Sequence, residues 1–183
     1  MPLGNIGDQF EYYQNVNLKD NTLQVGGVGT KPQETITRQA NTTQYNITDV
    51  LLSGGSSMLQ FNVLQSAGKS SWAIGGRATH SVSATTEPNI DLHLFCSGFT
   101  ISADNSEFRP NNNELLHYIG TISFSTWKIF GNSSYSDGSV ETPILLKSLN
   151  STNNLIYGVP VLRNTYTPAS SEIFSFSLDT EQH

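Results

Sequence analysis

The side chains best suited to chemistry in this sequence are His80, His93, His117 and Cys96, since imidazole and thiolate are the usual metal ligands and imidazole is a ready general base. Their spacing matches no ligand motif. His93 and Cys96 are three residues apart, which on an extended chain puts them on opposite faces, so they cannot grip one ion without a bulge. His93 therefore reads as a sheet-surface residue and Cys96 as a small buried hydrophobe. Asp104-Asn105-Ser106-Glu107 offers loop oxygens of the kind calcium takes, but it lacks alternating carboxylates around a central glycine and reads as an Asx turn. Glu87, Asp91, Glu114 and Glu141 could supply a carboxylate pair for glycoside hydrolysis only if folding brought two of them within about 5 to 9 Å. Nothing in their spacing does so. The expectation is a chain with no catalytic residue, no cofactor and no metal.

What must position these side chains is a β-framework. Ser (23), Thr (18) and Asn (17) make up 58 of the 183 residues, whereas only 24 residues are charged. Such short polar side chains bond to their own backbone and favour turns and strand surfaces over helix interiors, so a chain rich in them that still carries 36% hydrophobic residues reads as all-β. The length suits one domain able to bury a sizeable core. A net charge of −6, with acids and bases scattered, leaves no basic stripe to neutralise a phosphate backbone, so direct nucleic-acid binding is not expected. One cysteine excludes an intrachain disulfide. With no 18-residue apolar run, and no basic and apolar leader in Met1 to Val16, the chain reads as soluble, unexported and free of a membrane partner. The Asn-x-Ser/Thr triplets at Asn41, Asn46, Asn132 and Asn150 read as chance matches in so Asn-rich a sequence.

Period-two alternation recurs in short runs. Leu59, Phe61 and Val63 form one core face; Ile90, Leu92 and Leu94 form another, with Asp91, His93 and Phe95 pointing away. Ile122 and Phe124, then Phe174, Phe176 and Leu178, complete the set. Turn clusters such as Gly75-Gly76, Asn111-Asn112-Asn113 and Asp137-Gly138 separate eight or nine strand candidates. Helix is confined to a turn around Glu114 to Tyr118. Pro160 places the Leu155 to Leu162 strand at a sheet edge or breaks it. Of the aromatics, Trp72 and Trp127 lie in alternating runs and are assigned to the core or a subunit interface. The fold class expected is a two-sheet antiparallel β-sandwich of jelly-roll type spanning residues 17–183, with an early strand pair in Phe10 to Val25. It is preceded by residues 1–16, a candidate attachment segment made of a loose arm, Met1 to Gly7, and the first strand of that pair.

Three stretches in order carry a family resemblance: Asn89-Ile90-Asp91-Leu92-His93-Leu94-Phe95; Pro110 through Leu115 and Tyr118-Ile119-Gly120 to Ile122 and Phe124; and Asn154-Leu155-Ile156-Tyr157-Gly158-Val159-Pro160-Val161 followed by Thr165-Tyr166-Thr167-Pro168. The set resembles a family of small virion structural proteins of tailed bacteriophages, and Met58 to Leu178 is compatible with it. His93 and Pro160 depart from the family pattern. The resemblance implies a non-enzymatic β-sandwich on the capsid surface, made in the host bacterial cytoplasm, a decoration or auxiliary protein that forms a homo-oligomer, commonly a trimer, and contacts the major capsid protein or another virion protein. The rival reading is a carbohydrate- or receptor-binding module of a phage tail or fibre, with a glycan as partner. Flexible glycines followed by Phe10, Tyr12 and Tyr13 suit an arm that gains order on a partner, and these three aromatics are the candidate partner-binding residues.

Overall fold

The computed structural model describes residues 31–63, 70–81, 87–150 and 153–182. The candidate arm, with Phe10, Tyr12 and Tyr13, and the expected strand pair in Phe10 to Val25 lie outside the described residues. Among the described residues the strands are β1 (Gln33–Thr37), β2 (Leu59–Asn62), β3 (Ser71–His80), β4 (Ile90–Phe95), β5 (Tyr118–Phe124), β6 (Trp127–Phe130), β7 (Ser133–Leu146), β8 (Leu155–Leu162) and β9 (Ile173–Gln182), with one short helix, α1 (Asn112–Leu115). About 52% strand and 3% helix make the fold all-β. The helical turn begins slightly earlier than the sequence suggests because Asn111 caps it. The Asn111 side chain accepts from the Asn113 and Glu114 amides, and the Glu114 carboxylate accepts from the Asn111 amide.

The strands form one antiparallel sheet in the order β1-β9-β3-β7-β5-β4-β8-β2, with β6 folded back on β7. Pairing is nested along the chain: β1 with β9, β2 with β8, β3 with β7 and β4 with β5. The two halves of the sheet join through a single residue pair, Ser123↔Ser139. Its outer edges, β1 and β2, come back into contact, so the sheet is nearly closed. Closure requires close approach where β3 and β7 pass under β5. There Gly76 pairs with Gly138, and a Cβ on Gly138 would sit 2.5 Å from Phe124 Cε1 and 2.6 Å from Ile122 Cγ2. Only glycine leaves the Phe124 ring that space.

The interior holds the residues that alternation selects: Leu59, Phe61, Val63, Ile90, Leu92, Leu94, Ile122, Phe124, Phe174, Phe176 and Leu178 are all buried there. A second apolar cluster, absent from the sequence reading, lies on the outer face of β4 and β8. It contains Val50, Leu52, Met58, Phe95, Ile101, Val159 and Val161. Phe95 does point away from the first core, as expected, yet it is fully buried because the segments around residues 50–58 and 99–108 cover that face. Each such ring or branched side chain contributes roughly 1.5–3 kcal/mol on burial.

Pro160 does not break β8 or place it at an edge along its length, since β8 runs between β4 and β2. Its neighbour changes instead. β2 begins at Leu59, opposite Gly158, and beyond that pair the 49–51 segment takes over along β8, with the Leu51 amide donating to the Pro160 carbonyl and the Leu162 amide to the Asp49 carbonyl. The missing proline donor falls at that handover. Trp127 packs against the main core as expected, whereas Trp72 lies on the outward side of β3 and is only partly buried, because alternation from the buried Ala73 turns it outward.

Candidate functional site

The fold gathers the ionisable side chains into two buried networks that share a backbone hinge. Tyr45 and Tyr166 face each other in an antiparallel bridge, each amide donating to the other's carbonyl at 2.8 and 3.2 Å. Both rings are buried, and each phenol donates to a carboxylate.

On the Tyr45 side, the phenol donates to Asp104 Oδ1 (2.6 Å), which also accepts from the Leu52 amide (2.9 Å). Arg38 Nη2 stands 3.5 Å from Asp104 Oδ2, with both side chains nearly inaccessible, and Arg38 Nε donates to the Tyr45 oxygen. The guanidinium also lies 4.5 Å over the Tyr45 ring. Asp104 was expected to close a local Asx turn. Asn105 does take the left-handed conformation (φ 57) of such a turn, but the Asp104 carboxylate reaches across to Tyr45, Leu52 and Arg38 instead.

On the Tyr166 side, the phenol lies 2.7 and 2.9 Å from the two oxygens of Glu172, and the Ala169 amide donates to the same carboxylate at 3.0 Å. His80, the last residue of β3, stands between two acids: Nδ1 is 2.8 Å from Glu172 Oε1 and Nε2 is 2.5 Å from Glu87 Oε2. The Nδ1 contact is a close ion pair whose angle lies outside hydrogen-bond alignment. Ser134 Oγ donates to the other Glu87 oxygen at 3.0 Å. The imidazole is stacked on Phe174 and meets the Trp127 indole edge-on, and the indole N–H donates to the Pro88 carbonyl at 2.5 Å. His80 and Glu172 are fully buried, while Glu87 is 23% exposed.

Burial alone would lower the His80 pKa, but the Glu172 and Glu87 carboxylates outweigh it and the net shift is upward. Burial, reinforced by the neighbouring carboxylate, pushes both tyrosines upward. An imidazolium with a carboxylate at each nitrogen has no lone pair to act as a base. The Ser134 proton is committed to Glu87. The arrangement therefore ties loops together: Glu87 brings in the segment entering β4, and Glu172 the turn entering β9.

The other sequence candidates are not brought together. Asp91 pairs with Arg163 (3.0 Å) and accepts from Ser123 Oγ (2.6 Å), Glu114 caps α1, and Glu141 is exposed on β7. His93 lies on the outer face of β4, its Nδ1 2.6 Å from Thr121 Oγ1 and its ring stacked on Phe108; burial lowers its pKa. Cys96 is a free, buried thiol whose pKa burial raises. Among the described residues no group of three or more His, Cys, Asp or Glu is arranged to hold a metal ion, and no helix is long and apolar enough to cross a membrane. Sequence reasoning missed Arg38, Tyr45 and Glu172. Arg38 and Tyr45, and Tyr166 and Glu172, are seven and six residues apart in irregular segments that follow no strand or helix period, and the Asp104 and His80 that complete each network come from distant parts of the chain, so no local spacing signals them.

Open surface features are of two kinds. Apolar side chains project at the β6–β7 hairpin, where Ile129 and Phe130 are 59% and 77% exposed, and beside α1, where Leu116 is 80% exposed. Elsewhere, a cleft of about 420 Å³ lies beside Phe99 and Tyr157, and a smaller one of about 140 Å³ adjoins it across Phe99 and Thr100. Neither cleft touches His80 or Arg38. No model of a known protein family matches this chain, and no curated protein matches it.

Proposed function

We propose that this chain is a non-enzymatic structural protein of a bacteriophage particle, a jelly-roll module that assembles with copies of itself and sits on the capsid surface against the major capsid protein or another virion protein. The nested pairing carries the reading. First strand with last, second with next to last, and so inward, is the order expected when one long hairpin is wrapped into the two facing sheets of a jelly roll, and the single sheet order β1-β9-β3-β7-β5-β4-β8-β2 is consistent with such halves on either side of the Ser123–Ser139 pair. That fold recurs in viral capsid and lectin domains, so the step from fold to function is an analogy, and it joins the sequence resemblance in pointing the same way. The buried networks add support, because they use buried acids and bases of the fold to fasten loops. Exposed Ile129, Phe130 and Leu116 supply apolar contact surface for subunits. Attachment is assigned to residues 1–16, with Phe10, Tyr12 and Tyr13 as anchors, on the sequence pattern alone.

The test has two arms. Sedimentation of the purified chain should give a homo-oligomer, with a trimer expected, and antibodies raised against the folded chain should decorate intact particles. A monomer at every concentration, together with particles that the antibodies leave bare, would sink the proposal.

A further inference from the structure

We propose that the cleft between Phe99 and Tyr157 binds a neutral oligosaccharide. Its walls are Ser56 and Ser57 from the loop before β2, Gln60 from β2, Phe99 and Thr100 from the loop after β4, and Tyr157 from β8. A volume of about 420 Å³ falls in the range of small-ligand sites, ~300–1,000 Å³.

The platform is fixed before any ligand arrives. Gln60 and Tyr157 are cross-strand partners in the β2–β8 ladder. Phe99 meets Phe95 edge-on at 5.0 Å, and its amide donates to Met58 Sδ at 3.4 Å. Gly98 lies flat against Tyr157, where a Cβ would fall 2.6 Å from Cε1, so its backbone braces the ring. Two aromatic rings are thus held in place while the polar groups around them stay unengaged. The side chains of Ser56, Ser57, Gln60 and Thr100, and the Tyr157 phenol, make no hydrogen bond with any described residue.

The chemistry of the lining selects the ligand class. Among the described residues no acid, lysine, arginine or histidine lines this cleft, so a phosphate or carboxylate would find no cation there. A purely apolar ligand would strip water from five hydroxyl or amide groups and leave them unpaired. A neutral polyhydroxylated ring meets both demands, with C–H faces for the aromatic rings and hydroxyls for the serine, threonine and glutamine groups. The smaller cleft continues the groove past Phe99 and Thr100 toward Phe108 and Asn111. Its two charged walls are already committed, Arg109 to Glu107 and Glu114 to the Asn111 amide. The surface therefore stays neutral in character on both sides of Phe99, which favours a chain of sugars over a single one. This inference goes beyond the structural role proposed above and does not depend on it.

The experiment is an NMR titration of the ¹⁵N-labelled chain with neutral oligosaccharides of glucose, mannose, galactose and N-acetylglucosamine, and with a sulfated oligosaccharide as the charged comparison. At least one neutral oligomer should shift the amides of Gln60, Gly98, Phe99 and Thr100, and more strongly than the sulfated one. Phe99→Ala should weaken that binding at least tenfold. Gln60→Ala, at an exposed position, should weaken it severalfold with thermal unfolding unchanged, which separates a lost contact from a lost fold. Absence of binding by every neutral oligomer, preference for the sulfated one, or full affinity in both variants would overturn the proposal, whatever the oligomeric state and particle binding prove to be.

Discussion

Tyr45 and Tyr166 pair backbone to backbone, and each phenol donates a hydrogen bond to a buried carboxylate that a cation then neutralises. The cations differ. Arg38 carries a charge that no ordinary pH removes, so the cation of the Asp104 network is present at pH 5 and at pH 9 alike. His80 carries a charge that exists only while Glu172 and Glu87 hold its proton in place. Two sites with the same tyrosine–carboxylate geometry thus differ in whether solution pH can reach them. The Arg38 site fastens the loop at Asp104 permanently, and the His80 site makes the loops at Glu87 and Glu172 depend on protonation.

Removing the carboxylates gives the largest effects. Asp104→Ala strands a buried guanidinium that cannot discharge, and should cost about 3–5 kcal/mol in urea unfolding at any pH from 5.5 to 8.5. Glu172→Ala should cost as much at pH 5.5 but less at pH 8.5, because His80 can shed its proton. Equal losses for Glu172→Ala at both pH values would erase the distinction between the sites. The hydroxyls are only partly equivalent. Tyr45→Phe and Tyr166→Phe should each cost about 1–3 kcal/mol, since each leaves one carboxylate short of one donor while an amide donor remains, from Leu52 or Ala169, and Tyr45→Phe should cost more because it also removes the acceptor of Arg38 Nε.

The pH profile follows from the sign of each histidine shift. His80 is raised above the ordinary value of 6.5, so its stabilisation is complete below 6.5 and fades as pH rises through its folded value. His93 is lowered, so its contribution runs the other way: stability is held above 6.5 and declines as pH falls toward its folded value. Thermal unfolding across pH 5.5 to 9 should therefore lose the alkaline decline in His80→Gln and part of the acidic decline in His93→Gln. An alkaline decline that persists unchanged in His80→Gln would assign it to another group.

How much of this was legible in the sequence depends on the range of the interaction. Alternation exposes one face of one strand, so Phe61, Leu92, Phe124 and Phe176 could be placed in the core without knowing any partner. The α1 turn was legible only as a turn around Glu114 to Tyr118, because the reciprocal capping of Asn111 and Glu114 that starts it earlier was not read from their spacing. Phe95 was read as facing outward, which is right, but the cover that buries it comes from segments around residues 50–58 and 99–108 that carry no periodic pattern. His80, Glu87, Tyr166 and Glu172 meet through β3, β9 and two loops, and no spacing encodes that meeting. The same holds for the cleft, whose rings and hydroxyls come from separate loops and strands. The nested strand order, which is a property of pairing alone, could be stated from sequence only as a fold class.

The smallest effect is the sharpest probe of the comparison. Glu87 is the only member of the His80 trio that reaches solvent, at 23% exposure, so Glu87→Gln should cost no more than about 1 kcal/mol at pH 7. A glutamine keeps the acceptor that Ser134 uses, but it presents an N–H toward His80 Nε2 where a carboxylate oxygen stood. Two donors cannot face each other, so the imidazole should discharge at Nε2, keep its proton at Nδ1 toward Glu172, and become neutral. Burial then has only one carboxylate opposing it, and the His80 pKa should fall below that of the unaltered chain, as read from its imidazole ¹⁵N shifts during titration. The alkaline loss of stability should shrink with it, converting the His80 site into one as indifferent to pH as the Arg38 site. A His80 pKa in Glu87→Gln equal to that of the unaltered chain would mean that Glu172 alone holds the proton, and that the partly exposed acid contributes nothing to the switch.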